Sequence, residues 1–364
     1  MNKLHINTIN APQEIKDTLL KLSAHISFTK EIAKGANGYL FLGINTILEK
    51  EVAVKFYYWG NDKIFHAEPR NLAAIESPNI LKIHSAALID NDWAYFITEC
   101  CNQGDLDDFI STGNIGNIQA VNLVSNILSG LSSLHSNNFI HRDLKPSNIY
   151  LNGNNQSVIG DFGSVKRIPV ATASINASGH SILYRPPEST TTNQYSIKGD
   201  LYQVGMVLYQ LLGGYLPYSE QAWLDKKQLL HYNSLQDPVD KTIYVDQCIK
   251  NKISTGKILN IKSLPCWVPN TLIRVIKKAT NLDPNKRYSD AASFQVDIHK
   301  SLPKVKDWHV SNDEIILNST TSYKIISTAN GYKVLKKKSS DWREDHQIKT
   351  TDLQSIIDEI NGKT

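Results

Sequence analysis

The segment 139–151 places an acid, a cation and an amide at fixed spacing between two short apolar stretches. The three side chains are those of Asp143, Lys145 and Asn148. Phosphoryl transfer to a hydroxyl needs a carboxylate that orients the nucleophile, a cation near the migrating charge and an oxygen ligand for magnesium. A second candidate metal carboxylate follows in the triplet Asp161-Phe162-Gly163. The types and spacing of these residues therefore predict phosphoryl transfer.

Predicted strands precede this loop, and predicted helices lie on both sides of it. Apolar runs of β-forming residues predict strands at 39–42, 52–57 and 93–99. Apolar residues at helical spacing predict helices at 118–136, 198–212, 270–279 and 289–302. We therefore expect a small β-rich part, then a larger helical part that carries the loop.

These motifs resemble those of the eukaryotic-type (Hanks) protein kinases, with the serine/threonine form of the catalytic loop. The resemblance covers about residues 28–302. It implies an α+β fold of the bilobal protein-kinase type. The β-rich N-lobe would occupy residues 28–101, and the larger helical C-lobe would occupy residues 102–302.

Two segments lie outside the resemblance. Residues 1–27 are predicted to be a lead-in with a helix around 13–23. Residues 303–364 are predicted to be a small α+β appendage, in which Asn330-Gly331 is a hairpin turn signal and 351–360 is a helix. The appendage is either a brace on the helical lobe or a protein-binding or autoregulatory module.

The resemblance implies a nucleotide roof built on the family pattern G-x-G-x-x-G-x-V. Gly35 and Gly38 occupy the second and third glycine positions, Ala33 replaces the first glycine, and Leu40 replaces the valine. Glycine lets backbone N–H groups approach phosphate oxygens, because no Cβ stands in the way. Two glycines at this spacing are by themselves more often a plain turn, but their place between two strands favours phosphate binding.

Lys55 matches the family lysine that holds the α- and β-phosphates, and Ala53 matches the small residue beside the adenine ring. The implied partner of Lys55 is Glu68. Pro69 follows directly, and proline is tolerated only in the first turn of a helix. We therefore expect this helix to begin near Ala67, without the turns that precede the glutamate in the family.

The resemblance also implies an adenosine pocket. Thr98 would line its back, and Glu99 and Cys101 would belong to the hinge whose backbone reads adenine. Asp105 would accept hydrogen bonds from ribose; the equally favoured alternative is a cap for the following helix. Tyr150 occupies the position where the family places an apolar residue under the adenine.

In the reaction that the resemblance implies, ATP donates its γ-phosphoryl group in the presence of Mg²⁺ or Mn²⁺. Asp143 would orient the acceptor hydroxyl, and Lys145 would stabilise the γ-phosphoryl group. Asn148 and Asp161 would hold the metal. Lys145-Pro146 favours a serine or threonine of a protein substrate as the acceptor.

Three further residues are implied to have structural roles. Glu188 would form a buried ion pair with Arg287 that fixes the floor for a bound peptide, and loss of one partner of such a pair is costly. Asp200 would hold the backbone of the catalytic loop from the central helix.

Composition agrees with a globular protein and excludes some partners. The net charge of the 364 residues is only +4, which does not favour nucleic acid as a partner. The four cysteines include no C-x-x-C pair, which indicates a reduced compartment. No apolar run reaches signal-peptide length near the N-terminus or the roughly 20 residues of a membrane span. We therefore expect a cytoplasmic protein.

The sequence leaves two alternative functions and two further hypotheses open. A pseudokinase or scaffold would act through its surfaces, and a small-molecule kinase would share the aspartate loop. Autophosphorylation, with self-association, would place a phosphate near Arg142 on Thr172, Ser174 or Ser178. The long region 218–269 is a candidate docking surface if its aromatic residues are exposed.

Overall fold

The computed structural model describes residues 3–32, 38–169, 172, 174–177, 182–339 and 341–364. The first five strands are β1 (Ile26–Ile32), β2 (Gly38–Asn45), β3 (Lys50–Tyr58), β4 (Ile83–Leu88) and β5 (Trp93–Glu99). They form one antiparallel sheet in the order β1-β2-β3-β5-β4. This sheet is the N-lobe.

The side chains of β3 alternate between a face that packs in the N-lobe core and a face that carries Lys55. Val54 and Phe56 are fully buried on one face, and Lys55 lies on the other because successive strand side chains alternate. The packing face is covered by α1 (Gln13–Leu22), whose Ile15 and Leu19 are also fully buried. Burial of each such side chain contributes about 2 kcal/mol. The segment 1–27 therefore supplies part of the N-lobe core.

A short helix crosses the side of this sheet. A 3-10 helix (Lys63–His66) leads directly into α2 (Ala67–Ala73), so the predicted start near Ala67 is confirmed. Pro69 lies in the first turn of α2, where an N–H would lack an intrahelical acceptor. The helix is only 7 residues long.

The C-lobe is helical. Its helices are α3 (Leu106–Ser111), α4 (Asn117–Ser136), α5 (Pro187–Thr191), α6 (Ile197–Leu211), α7 (Lys226–Ser234), α8 (Pro238–Ser254), α9 (Asn270–Ala279) and α10 (Ala291–Ser301). The four helices expected from apolar periodicity correspond to α4, α6, α9 and α10. Helix α6 is the centre of the lobe, because all its residues from Gly199 to Leu211 are buried.

Short strands lie in the connections between the C-lobe helices. They are β6 (Phe139–Ile140), β7 (Ile149–Leu151), β8 (Ser157–Ile159), β9 (Lys166–Arg167), β10 (Ile175–Asn176) and β11 (Gln194–Tyr195). They pair antiparallel as β6 with β9, β7 with β8 and β10 with β11. Among the described helices, none is both long and apolar enough to cross a bilayer.

The C-terminal appendage is a five-stranded antiparallel meander with one helix. Its elements are β12 (Asp307–Ser311), β13 (Glu314–Asn318), β14 (Ser322–Thr328), β15 (Gly331–Lys337), β16 (Arg343–Glu344) and α11 (Leu353–Lys363). Gly331 begins β15 with φ 125°, in agreement with the expected hairpin turn.

The appendage has its own core and is attached to the C-lobe. Trp308, Ile356 and Ile357 are fully buried in that core. The side-chain amide of Asn117, at the start of α4, donates to the carbonyls of Lys306 (3.1 Å) and Trp267 (3.3 Å). Because Lys306 lies in the appendage, its bond with Asn117 ties the appendage to α4 of the C-lobe. The role of the appendage, as a brace or as a binding or autoregulatory module, stays a prediction from the sequence.

Candidate active site

The catalytic loop is held in place by one buried carboxylate of α6. Asp200 accepts hydrogen bonds from the backbone N–H groups of His141 and Arg142, both at 2.9 Å. Arg142 has φ 69°, a left-handed conformation that a non-glycine residue rarely adopts. The bonds to Asp200 therefore fix a strained backbone directly before Asp143.

Asp200 keeps its negative charge although it is fully buried. Burial by itself would raise the pKa of this carboxyl group. The hydrogen bond from His135 (2.8 Å) and the backbone N–H of Arg142 outweigh burial and lower the pKa. The hydroxyl of Tyr195 donates a further bond of 3.0 Å. His135 was not expected from the sequence, since a histidine late in a helix carries no recognisable signal by itself.

Asp143, Lys145 and Asn148 converge at the start of the loop. The Lys145 ammonium lies 3.0 Å from Oδ2 of Asp143. The amide nitrogen of Asn148 donates to the backbone carbonyl of Asp143 at 2.7 Å and to its Oδ2 at 3.1 Å. The amide oxygen of Asn148 has no hydrogen-bond partner among the described residues, so it remains available as a metal ligand.

Asp161 lies beyond β8 in an unusual backbone conformation. Its φ of 52° is left-handed, which costs a non-glycine residue about 1–2 kcal/mol. The next residue, Phe162, is fully buried and packs edge-on against His141 with ring centroids 5.5 Å apart. His141 also bonds through Nε2 to the carbonyl of Gly160 at 3.0 Å. These contacts on both sides hold the strained Asp161.

Lys55 and Glu68 form a close ion pair between β3 and α2. The Lys55 ammonium lies 2.6 Å from Oε1 and 2.8 Å from Oε2 of Glu68. Burial by itself would lower the pKa of Lys55, but the charges of Glu68 and Asp161 outweigh burial and raise it. The carboxylate of Asp161 is thus within electrostatic reach of Lys55. The site contains a cation that stays protonated at neutral pH and can bind a polyanion.

The helix that carries Glu68 also contacts the segment after Asp161. The side-chain amide of Asn71 donates to the carbonyl of Val165 at 3.1 Å. Leu72 is buried in the same core cluster as Phe162. Glu68 and Asp161 are therefore positioned by one set of contacts between the lobes.

Two predicted roof residues are described and two are not. Ala33 and Gly35 lie outside the described residues. A Cβ at Gly38 would overlap the backbone carbonyl of Phe56, so the close pairing of β2 with β3 requires glycine there. Leu40 pairs with Lys55 across the same two strands.

The residues predicted to line the adenosine pocket make different contacts in the structure. Ala53 and Thr98 are cross-strand partners on β3 and β5, and Thr98 is buried. Oε1 of Glu99 accepts from the backbone N–H of Lys82 (3.1 Å), so this side chain ties β5 to the segment before β4. Asp105 is buried and accepts from the backbone N–H of Asp108 (2.9 Å), so it caps α3. This capping role is the alternative that the sequence favoured equally with ribose binding.

Cys101 of the predicted hinge and its neighbour Cys100 are partly buried thiols. Burial, with Glu51 nearby, raises the pKa of Cys100 to about 11. Burial, with Glu99 nearby, raises the pKa of Cys101 to about 12. Both side chains are therefore neutral at physiological pH and add no charge to the hinge.

Tyr150 packs against a glycine that the sequence did not single out. A Cβ at Gly160 would overlap the ring of Tyr150. Burial raises the pKa of Tyr150, and the charges of Asp161, Glu68 and Asp105 raise it further. The ring therefore lies within electrostatic reach of carboxylates on both lobes. No local signal marks Gly160, because the pairing of β7 with β8 brings it next to Tyr150.

The ion pair expected between Glu188 and Arg287 is present in the structure. Arg287 donates to Glu188 through both terminal nitrogens, at 2.8 Å and 2.7 Å. Arg287 also donates to the carbonyls of Asn281 (2.7 Å) and Lys198 (3.0 Å). Its side chain is fully buried, with every contact charge-assisted. The pair ties α5 to the loop before α10.

The activation segment after Asp161 is partly described. Arg142 donates to the backbone carbonyls of Ser164 (2.8 Å) and Asn176 (3.0 Å). Of the three predicted phosphate acceptors, Ser178 lies outside the described residues. Of the predicted phosphate acceptors, Ser174 bonds to Gln194 at 2.7 Å.

The aromatic residues of the region 218–269 are mostly not exposed. Trp223 is buried, whereas Tyr232, Tyr244 and Trp267 are half-buried. Tyr218 is an exception, with 71% of its surface exposed. The expectation of an aromatic docking surface is therefore not supported by Trp223.

Comparison with known proteins gives the family. The protein kinase domain family matches residues 26–299, which is more than half of the chain. The chain belongs to the protein kinase family. This agrees with the bilobal α+β fold and with the resemblance found in the sequence.

Three relatives illustrate the range of the family. The chain is 26% identical over 286 residues to serine/threonine-protein kinase PrkC of Bacillus subtilis, covering 76% of this chain and 40% of that protein. It is 26% identical over 281 residues to the probable serine/threonine-protein kinase PknB of Lactococcus lactis, covering 75% and 41%. It is 29% identical over 222 residues to the human tyrosine-protein kinase FRK, covering 57% and 43%. The chain thus spans about two fifths of each of these proteins.

Proposed function

We propose that this protein is an ATP-dependent serine/threonine protein kinase. The observation that carries the proposal is the formed Lys55–Glu68 ion pair within electrostatic reach of Asp161. Relatives named as serine/threonine-protein kinases support it. A relative named as a tyrosine-protein kinase does not decide the acceptor, so that choice rests on Lys145-Pro146 of the catalytic loop.

The proposed reaction transfers the γ-phosphoryl group of ATP. A bond forms between the acceptor oxygen and the γ-phosphorus, and the bond to the β,γ-bridging oxygen breaks, which releases ADP. Asp143 orients the hydroxyl and accepts its proton late in the transfer. Lys145, which lies 3.0 Å from Asp143, stabilises the migrating group, and Lys55 holds the α- and β-phosphates.

The donor set fits a magnesium ion. The side chains of Asn148 and Asp161 both supply oxygen, and Mg²⁺ is usually bound by one or two carboxylates together with substrate phosphates. When bound, the ion neutralises phosphate charge; Mn²⁺ has similar ligand preferences. Asn148 is also bonded to Asp143, so the same residue links the metal site to the acceptor site.

Protein is the proposed substrate, in preference to a small molecule. The buried pair of Glu188 and Arg287 supports a rigid floor beside the catalytic loop, on which a peptide chain can lie. The formed pair of Lys55 and Glu68 favours catalysis over a pseudokinase that works only by binding. The same proposal includes autophosphorylation in the activation segment by a self-associated protein. It also includes action in the cytoplasm, where ATP is present and cysteines stay reduced, in agreement with the free thiols.

A labelled-phosphate assay tests the proposal. The protein is incubated with γ-labelled ATP, Mg²⁺ and a mixed protein substrate, and the labelled amino acids are identified after acid hydrolysis. We expect label on serine and threonine, on both the substrate and the protein itself. Label on tyrosine alone would reassign the acceptor, and no label on any protein would favour the pseudokinase.

A further inference from the structure

The peptide group between Asp143 and Leu144 is held at both ends by side chains. Its carbonyl accepts a hydrogen bond from the side-chain amide of Asn148 at 2.7 Å. Its N–H donates to the side-chain oxygen of Gln203 at 2.9 Å. The carboxylate of Asp143 is attached to the Cα atom at one end of this peptide group, so a rotation of the group would move the carboxylate. The bond between Leu144 and Gln203 can therefore control where that carboxylate lies.

Gln203 lies on the same face of α6 as Asp200. The two residues are three positions apart in the helix, so their side chains are neighbours. Asp200 accepts from the backbone N–H of Arg142, before Asp143, and Gln203 accepts from the backbone N–H that follows Asp143. Gln203 is only 1% exposed, so loss of its oxygen would leave a buried N–H without an acceptor. The two side chains of α6 thus hold the backbone on both sides of Asp143.

The hydroxyl of Tyr195 joins these two side chains. It lies 3.0 Å from Oδ1 of Asp200 and 2.9 Å from Oε1 of Gln203, so its single proton is shared between two acceptors. Burial and the charge of Asp200 raise the pKa of Tyr195, which keeps the hydroxyl protonated and able to donate. The ring packs against Gly199, where a Cβ would overlap it. Tyr195 is therefore a fixed part of the network around Gln203.

Tyr195 also connects this network to the activation segment. It belongs to β11, which pairs antiparallel with β10, and its direct partner in that pairing is Ile175. Strand β10 lies in the activation segment, between Asp161 and α5. Contacts thus run without a break from β10 through Tyr195 and Gln203 to the peptide group that follows Asp143.

We propose that Gln203 is a positioning residue for phosphoryl transfer, which fixes the Asp143 carboxylate through the N–H of Leu144 and is itself held by Tyr195. Gln203 does not contact substrate and acts through Asp143. A purely structural role would lower the stability of the protein and leave kcat unchanged. A positioning role lowers kcat and leaves the KM for ATP unchanged, because Lys55 lies on the other lobe. The inference deepens the proposed kinase function and depends on it.

The kinetics of Gln203→Met test this inference. Methionine has nearly the size of glutamine but offers no strong acceptor to the N–H of Leu144. The substrates are γ-labelled ATP with Mg²⁺ and a serine peptide selected by labelling from a mixed serine/threonine pool. We expect kcat to fall by about 30-fold or more, because a displacement of about 1 Å in a reacting group can cost about 100-fold. The KM for ATP should stay within about threefold of the wild type.

Gln210→Met is the matched control. Gln210 is a second buried glutamine of α6, and it accepts a hydrogen bond from the hydroxyl of Tyr184 at 2.8 Å instead of from the catalytic loop. We expect a similar loss of thermal stability in both variants, with the kcat of Gln210→Met within about threefold of the wild type. If Gln203→Met does not fold, Gln203→Asn replaces it with the same expected kcat, because the shorter amide stays polar but withdraws its oxygen from Leu144.

A double variant shows whether Gln203 acts through Asp143. Residues that act as one unit have non-additive effects on the rate. Gln203→Met added to Asp143→Asn should therefore lower kcat by less than about threefold further. The inference is overturned by a folded Gln203 variant whose kcat lies within about fivefold of Gln210→Met, or by the full additional loss in the Asp143→Asn background.

Amide hydrogen exchange separates this inference from the proposed function, because it needs no activity. The exchange of the segment 141–148, measured by peptide mass spectrometry, should be about tenfold faster in Gln203→Met than in the wild type and Gln210→Met. If the wild type transfers no phosphate to any peptide of the pool, the proposed function fails, and the exchange rates still test the contact. Equal exchange in the three proteins would overturn the role of Gln203.

Discussion

The ammonium of Lys55 on β3 lies 2.6 Å from the carboxylate of Glu68, although α2 begins only one residue before that glutamate. The 3-10 helix (Lys63–His66) supports the start of α2, with Asp62 accepting from the backbone N–H of Ile64 at 2.9 Å. A truncated helix therefore still positions the glutamate. The pair is formed in the structure, and it joins β3 to α2.

Replacement of Lys55 by methionine should remove the cation that we propose as the ligand of the α- and β-phosphates. We expect kcat/KM for ATP to fall by about 100-fold or more, the usual cost of losing a preorganised charge contact in a reacting site. Glu68→Gln should cause a smaller loss, because the amide can still accept a hydrogen bond from Lys55. Steady-state kinetics at varied ATP measures both.

Lys50→Met is the matched control, since Lys50 is an exposed lysine at the start of the same strand. Its kcat/KM should stay within twofold of the wild type. A Lys55→Met variant that remains within tenfold of wild type would argue against the phosphate-binding role.

The buried pair of Glu188 and Arg287 should matter for folding. Glu188→Ala leaves the Arg287 guanidinium buried without its carboxylate, and the expected loss is about 3 kcal/mol in the free energy of unfolding. Urea unfolding followed by circular dichroism measures this. Lys333→Ala breaks an exposed ion pair with Glu344 and should leave the urea midpoint nearly unchanged. Equal midpoints for the two variants would count against the structural role of Glu188.

The hinge thiols should resist alkylation at neutral pH. A pKa of about 11 for Cys100, against the ordinary 9.0, lowers its thiolate fraction at pH 8 about 100-fold. Cys101, with a pKa of about 12, should react more slowly still. We expect iodoacetamide to label both cysteines far more slowly than free N-acetylcysteine, and the rate to rise about tenfold per pH unit above pH 8. Peptide mass spectrometry gives each rate; rapid labelling at pH 7 would show that the thiols are less buried than described.

The contact between Tyr150 and Gly160 should control the shape of the nucleotide cleft. In Gly160→Ala, the added Cβ overlaps the Tyr150 ring, so the ring must shift from its predicted place under the adenine, and we expect the KM for ATP to rise at least tenfold. Tyr150→Leu in the same chain removes the overlap and should restore the KM to within about threefold of the Tyr150→Leu single variant. If the double variant keeps the raised KM, the effect of Gly160→Ala does not arise from its overlap with the Tyr150 ring.

Local patterns in the sequence were enough for much of the fold. Pro69 dictated where α2 begins, because proline is accepted only in the first turn, and apolar periodicity located α4, α6, α9 and α10. The ion pairs Lys55–Glu68 and Glu188–Arg287 were expected from the resemblance alone.

Contacts between residues that are distant in the sequence could not be predicted in the same way. The fully buried Ile15 and Leu19 show that α1 covers the N-lobe sheet, but an amphipathic helix does not indicate what it packs against. The left-handed backbone of Asp161 depends on contacts of its neighbours, which no local signal reveals. The overlap at Gly160 likewise arises only when β7 and β8 pair.

The most direct test of the account is the rate of phosphate transfer from ATP and Mg²⁺ to a serine or threonine peptide by Asp143→Asn. The amide keeps the size of the carboxylate but cannot accept the proton of the acceptor hydroxyl. We predict a loss in kcat of about 100- to 10,000-fold relative to the wild type, with an unchanged unfolding temperature. A folded Asp143→Asn protein that transfers phosphate within tenfold of the wild-type rate would contradict the central claim.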